Sequence, residues 1–102
     1  MSLYQEILSD LMAAMKAKEA ERLSVLRMLK TAIENERIAA MTRDTEPDDA
    51  FVMTIVKRYK KQQEDALVDF ERGGRQDMVD SVQREIALVS AYLPAEMDDV
   101  AI

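Results

Sequence analysis

Apolar residues recur at helical spacing through most of this chain. Leu3, Ile7, Leu11 and Met15 follow one another every four residues, with Leu8 and Met12 alongside, so the spacing predicts an amphipathic helix from residue 3 to about residue 17, with Ser2 as its N-cap. The stripe lapses over KAKEAER, Lys16 to Arg22, which holds no apolar side chain larger than alanine. A bend is expected there, although no Gly or Pro marks it. A second stripe at Val25, Leu26, Leu29, Ala32 and Ile33 carries a helix to about Met41. TRDTEPDD, Thr42 to Asp49, is strong punctuation: Thr45 is placed to cap, Pro47 suits a first turn, and Asp48 sits three residues after Thr45 as in a capping box. The helix that starts there runs to about Arg72 with Val52, Ile55, Val56, Tyr59, Gln63, Ala66, Leu67 and Phe70 on one face. Gly73-Gly74 stops it. A fourth helix, about Gln76 to Leu93, turns Val79, Val82, Ile86, Val89 and Leu93 inward, and Pro94 ends it.

The fold class expected is therefore all-α: four helices with antiparallel neighbours, breaking near residues 18 to 21, 42 to 47 and 73 to 75. Residues 1–94 form the helical bundle domain. AEMDDVAI, residues 95–102, reads as a stub, a linker or the first turn of a further helix, because Asp98 and Asp99 precede Val100 and Ile102 with nothing behind them. If a second domain normally rests there, Tyr92, Leu93 and Met97 form an apolar patch open to a partner or to weak self-association.

At 102 residues a single modest core is expected, in which roughly two-thirds of the unfolded chain's surface is buried. A hydrophobic fraction of 48%, a charged fraction of 33% and only two Gly and two Pro favour long helices over a sandwich or a disordered chain. Cysteine is absent, so there is no disulfide framework, thiolate nucleophile or zinc knuckle. Histidine is absent too, which removes the usual general base and the commonest transition-metal ligand. No serine, lysine or threonine stands at motif spacing from an activating partner, so no catalytic residue, metal site or cofactor is expected. Glu6 and Asp10 stand where a signal peptide would carry cations, and no apolar run approaches the length of a membrane span. A cytoplasmic protein without a membrane partner is expected.

The formal net charge is -6, yet VKRYKKQQED, Val56 to Asp65, packs Lys57, Arg58, Lys60 and Lys61 into five positions. On a helical wheel of about 100° per residue these cations spread over the whole solvent half instead of forming one stripe. Glu64, Asp65, Asp69 and Glu71 follow on the same half, so a positive field fades along the helix. Two readings stay open, a solvated face and a phosphate-contacting patch. Arg27, Lys30 and Arg37 on the second helix fall within an arc of roughly 80°, interrupted by Glu34. Side by side, the two sets would make one basic surface able to release counterions from RNA. The carboxylates of Asp44, Glu46, Asp48 and Asp49 lack the offsets of an oxygen-rich cation loop and read as charge placed at a helix N-terminus. Met12, Met15, Met28, Met53 and Met78 lie on or beside the apolar stripes and read as core filling. Gln63 lies near the centre of an otherwise apolar stripe. Either a polar contact crosses the bundle at this point, or this part of the helix faces another domain or subunit.

Three segments, ERLSVLRMLKTAIENERI (Glu21 to Ile38), GGRQDMVDSVQREI (Gly73 to Ile86) and SAYLPAEM (Ser90 to Met97), resemble the YqeY family, small bacterial proteins related to the tail domain of GatB, the B subunit of the glutamyl/aspartyl-tRNA amidotransferase. The most specific pieces are Leu26-Arg27-Met28-Leu29, Arg75 with Asp77, and Tyr92-Leu93-Pro94. The resemblance implies an N-terminal four-helix domain followed by a smaller helical domain, and this sequence stops where the second would begin. It also implies association with tRNA or a tRNA-handling protein. The label of carbon-nitrogen ligase with glutamine as amide donor comes with it by association only. A protein-protein interaction or oligomerisation module with no RNA contact is the alternative, motivated by the acidic balance and by Gln63.

Overall fold

The computed structural model describes residues 2–42 and 44–94, and the expectations placed on Met97 and on residues 95–102 lie outside them. The described residues form α1 (Leu3–Ala17), α2 (Ala20–Ala39), α3 (Asp49–Arg72) and α4 (Gln76–Ser90), with no strand among them. The fold is all-α. Where one core was expected, the chain divides into two compact units that part between Ile55 and Val56, inside α3.

In the first unit α1 and α2 pack as an antiparallel hairpin: Tyr4 meets Glu34 at one end, and Asp10 lies 3.8 Å from Arg22 nearer the turn. Its core is Leu3, Tyr4, Ile7, Leu11 and Ala14 from α1, Val25, Leu26, Leu29 and Ile33 from α2, and Val52 and Ile55 from the start of α3. Helix α1 opens with a capping box in which the Ser2 hydroxyl accepts from the Gln5 N–H at 3.1 Å and the Gln5 amide oxygen accepts from the Ser2 N–H at 3.2 Å. In the second unit α3 and α4 also run antiparallel, since Gln63 meets Glu85 while Phe70 and Val79 share a groove nearer the turn. Only Val56, Val79, Val82 and Val89 are buried in this unit among the described residues, Val56 and Val89 completely.

The corner after α1 has a stop that the sequence conceals. Lys18 adopts φ 58 and ψ 39, in the left-handed region. Its N–H donates to the Met15 carbonyl at 3.2 Å while that of Glu19 donates to the Ala14 carbonyl at 3.0 Å, the paired bonds of a Schellman ending. Helix α2 ends in the same way, with Met41 at φ 59 donating to Ile38 and Thr42 donating to Arg37. Helix α3 repeats it with Gly74 at φ 70, donating to Glu71, and Arg75 donating to Phe70. Glycine is the residue that suits this geometry, and only the third of these endings has it.

Four expectations are corrected. The cap of α3 is Asp48, not Thr45: its Oδ1 accepts from the Phe51 N–H at 2.8 Å, while the Thr45 hydroxyl donates back to the Thr42 carbonyl. Helix α4 stops at Ser90 instead of Leu93, because the residue before Pro94 is pushed out of the helical region and the chain tightens into turn bonds from Tyr92 to Val89 and from Leu93 to Ser90. Ile86 and Leu93 are half-buried, as are Tyr59, Leu67 and Phe70, so the apolar stripes of α3 and α4 are covered only in part. The methionines are not core filling either: Met12, Met15 and Met28 are 55%, 48% and 54% exposed, and Met53 and Met78 are half-buried.

Candidate nucleic-acid and partner surfaces

The antiparallel pairing of α1 and α2 brings Tyr4, near the start of one, against Glu34 and Arg37, near the end of the other. The Tyr4 hydroxyl donates to Glu34 Oε2, which also accepts from Arg37 Nη1 at 3.0 Å. Arg37 Nη2 donates to the Thr45 carbonyl at 2.8 Å, and the guanidinium carbon lies 5.5 Å from the Tyr4 ring centre. The Tyr4 hydrogen bond is the largest influence on Glu34 and holds its carboxyl below the ordinary range; partial burial opposes it, and Arg37 and Lys30 reinforce it. Burial is the first cause pushing the Tyr4 phenol up, followed by the hydrogen bond to Glu34 and its charge, with Arg37 pulling the other way. The Arg37 side chain is only 12% exposed. Of the cations singled out on α2, Arg37 is therefore held in a network joining both helix ends to the following loop, whereas Arg27 and Lys30 are exposed.

The acidic loop has a structural use on both sides. Asp48 caps its own helix, Asp49 Oδ1 accepts from the Leu3 N–H at the first turn of α1 at 2.9 Å, and Glu46 Oε1 accepts from the Gln5 side-chain amide at 3.2 Å. Carboxylates thus sit at the N-termini of two helices, where the macrodipole favours them. Among the described residues no group of three or more carboxylates is arranged to hold a metal ion.

On α3, in the second unit, Lys57, Arg58 and Lys61 are exposed and Lys60 is half-buried. Lys61 Nζ pairs with Asp65 one turn on at 3.2 Å, both side chains largely in solvent, so the pair restrains the lysine weakly. The basic residues of α2 and those of α3 belong to different units, and each set is a surface of its own unit.

Of the two readings of Gln63, the polar contact is the one formed. Its side-chain amide donates to Glu85 Oε1 on α4 in a half-buried setting. Burial, and then the charge of Glu85, push the neighbouring Tyr59 phenol up. Tyr92 and Leu93 are half-buried. Residues 70 to 83 also form a groove that the sequence reading missed, about 240 Å³ in volume, at the glycine turn between α3 and α4. Its signal was available in Gly73-Gly74, which brings Phe70 back onto Val79 and Gln83.

The family description "Yqey-like protein" matches residues 4–102. The chain belongs to the YqeY-like family. Similar YqeY-like relatives include the protein named "Altered inheritance of mitochondria protein 41, mitochondrial" in three fungi. That of Eremothecium gossypii is 31% identical over 84% of this chain and 46% of its own length. That of Lachancea thermotolerans is 30% identical over 82% of this chain and 44% of its own, and that of Vanderwaltozyma polyspora 29% over the same shares. The chain thus spans about half the length of the curated relatives it matches. The bacterial character attached to the resemblance is too narrow, since these relatives are fungal and their names place them in mitochondria. Among the described residues no helix is long and apolar enough to cross a membrane.

Proposed function

We propose that this YqeY-like chain is a non-catalytic helical accessory domain that binds tRNA, or a protein that handles tRNA, through exposed cations of α2 and α3. The observation that carries the reading is the run Lys57, Arg58, Lys60 and Lys61, of which all but the half-buried Lys60 are exposed, in a chain of net charge -6. Arg27 and Lys30 supply a second contact from α2. The likeness to the amidotransferase tail domain supports a role in positioning tRNA instead of acting on it. Without a cysteine or histidine, the chain lacks the usual nucleophile and base for glutamine hydrolysis, so the ligase label belongs to partners. The cytoplasm is the compartment this reading assigns.

Binding of this kind is weak and salt-dependent, because each neutralised phosphate releases counterions and the acidic remainder opposes long-range attraction. Purified chain and tRNA are expected to associate at about micromolar concentration at low salt, close to the nonspecific range, with affinity falling steeply as salt rises. Reversing Lys57→Glu and Lys61→Glu together changes two exposed positions away from the apolar face and should weaken binding at least about tenfold, with a shallower salt slope. Binding that is absent at low salt, or unchanged by the double reversal, leaves the cluster as a solvated helix face. The rival reading, a protein-interaction module, then takes first place. It is favoured by the exposed Met12, Met15 and Met28, adaptable apolar side chains at the surface, and by the half-buried Tyr92 and Leu93.

A further inference from the structure

The groove at the α3–α4 turn brings together an aromatic side chain, an apolar partner, and polar groups of both donor and acceptor type. Phe70, Glu71, Arg75, Gln76, Val79 and Gln83 line it together with Gly74. At about 240 Å³ it is smaller than the roughly 300–1,000 Å³ of pockets that enclose drug-sized ligands, which suits one planar ring system with the remainder of the ligand outside. Apart from its chain neighbours, nothing stands within 4 Å of where a Cβ on Gly74 would sit, so the space around this lining residue is open. Arg75 lines the groove, and its guanidinium pairs with Asp77 at 3.7 Å with both side chains well exposed. Gln76 spends one amide proton on Asp80 at 2.8 Å and keeps the rest of its amide.

We infer that this groove binds an unpaired nucleobase carrying an exocyclic amino group, stacked on Phe70, with its sugar and phosphate leaving past Gly74 toward Arg75. Unpaired bases are held in proteins by stacking on aromatic rings and by hydrogen bonds to their exposed edges. The Glu71 carboxylate is an acceptor only, so it favours the amino groups of cytosine, adenine or guanine over uracil, whose single N3–H is flanked by two carbonyls that repel it. The carboxamides of Gln76 and Gln83 serve either a donor or an acceptor edge. The same chemistry comes from a free nucleotide or from a single-stranded stretch of RNA, and in the second case the inference rests on the RNA reading given above.

The test is a titration of the whole 102-residue protein with CMP and UMP, and with unstructured ten-nucleotide oligo(C) and oligo(U), followed by NMR. The signals are the backbone amides of Gly74 and Arg75 and the side-chain amides of Gln76 and Gln83. CMP is expected to shift these signals in the millimolar range, with UMP at least about fivefold weaker. Phe70→Leu keeps an apolar side chain but removes the ring face, and should weaken CMP binding about tenfold, within the range stacking supplies. Glu71→Gln, at an exposed position that leaves the fold alone, should erase the preference for CMP over UMP. No shift with either nucleotide, equal shifts with both, or shifts indifferent to both substitutions overturn the inference. The Lys57→Glu, Lys61→Glu protein separates the two proposals. Expected is a loss of oligo(C) affinity with CMP binding unchanged. Oligo(C) binding that depends on those lysines and leaves the groove signals still would overturn the groove while the RNA reading stands. CMP binding in the groove with no gain for oligo(C) would make the ligand a free nucleotide, and the RNA reading would then stand or fall on the tRNA test of Lys57 and Lys61.

Discussion

Met41, exposed and at φ 59, occupies a backbone position where a side chain is a cost without a compensating contact. The left-handed region costs an L-residue about 1–2 kcal/mol, and glycine gives back about 0.5–1 through its greater freedom when unfolded. Met41→Gly is therefore expected to stabilise the protein by up to about 1 kcal/mol in denaturant unfolding, and Lys18→Gly by somewhat less, since it also removes a cation from a helix C-terminus. A loss of stability in both would refute these endings. Glu34 gives a prediction with a pH sign. Its carboxyl titrates below its ordinary 4.5 in the folded protein, so the stability it contributes is present above that pH and is lost as pH falls through the folded value. Glu34→Gln should lower stability at neutral pH and flatten the acid limb relative to the parent protein. Tyr4 has the opposite sign: raised above 10.0, its contribution is complete below that pH and is lost as pH rises through the folded value. An acid limb identical in the parent and the variant would show that the Tyr4–Glu34–Arg37 network contributes nothing to folding.

At the scale of the helix, apolar spacing is informative about which residues turn inward and weak about how completely they are covered. Ile55 and Ile86 hold equivalent places on their stripes, but Ile55 is 3% exposed and Ile86 is half-buried. Ile55→Ala should cost about 2–5 kcal/mol. Ile86→Ala should cost less than half as much, because solvent already reaches the site. Equal losses in thermal or chemical unfolding would contradict this difference in burial. The four helices were legible because stripes, glycines and prolines report local preference directly. The caps were less so: Thr45 and Asp48 both have capping side chains, and the choice depended on where α1 starts, since Asp49 and Glu46 also serve its first turn. Lys18 and Met41 were illegible as stops because neither residue type prefers the conformation it adopts. The partners of Gln63 and Arg37 were hidden for a related reason: Glu85 and Tyr4 lie 22 and 33 residues away in sequence, or on another helix, where periodicity alone assigns no neighbours.

At the scale of the whole chain, the fully buried side chains are unevenly shared between the two units. The first has a contiguous apolar set from three helices, with Ile7, Leu29 and Ile33 at 0% exposure, while the second buries four valines, two of them completely, and leaves Tyr59, Leu67, Phe70 and Ile86 half-covered. Local opening free energy follows the number of buried apolar contacts that must be broken, so the two units should not protect their backbone amides equally. Native-state hydrogen exchange is expected to show the amides of Leu29 and Ile33 exchanging most slowly, close to the rate set by global unfolding. Those of Leu67 and Ile86 should exchange at least about tenfold faster, a difference of about 1.4 kcal/mol in opening free energy. Leu29, Ile33 and Leu67 lie at least five residues from the ends of α2 and α3, and Ile86 four residues from the end of α4, so Leu67 gives the contrast least affected by fraying. Uniform protection across α2, α3 and α4 would mean that the chain opens as one cooperative unit. A ligand that settles on the second unit, whether RNA on Lys57 and Lys61 or a base on Phe70, should slow exchange at Leu67 and Ile86 and also at Leu29 and Ile33, whose exchange requires global unfolding, because binding raises the free energy of every opening that unfolds its site.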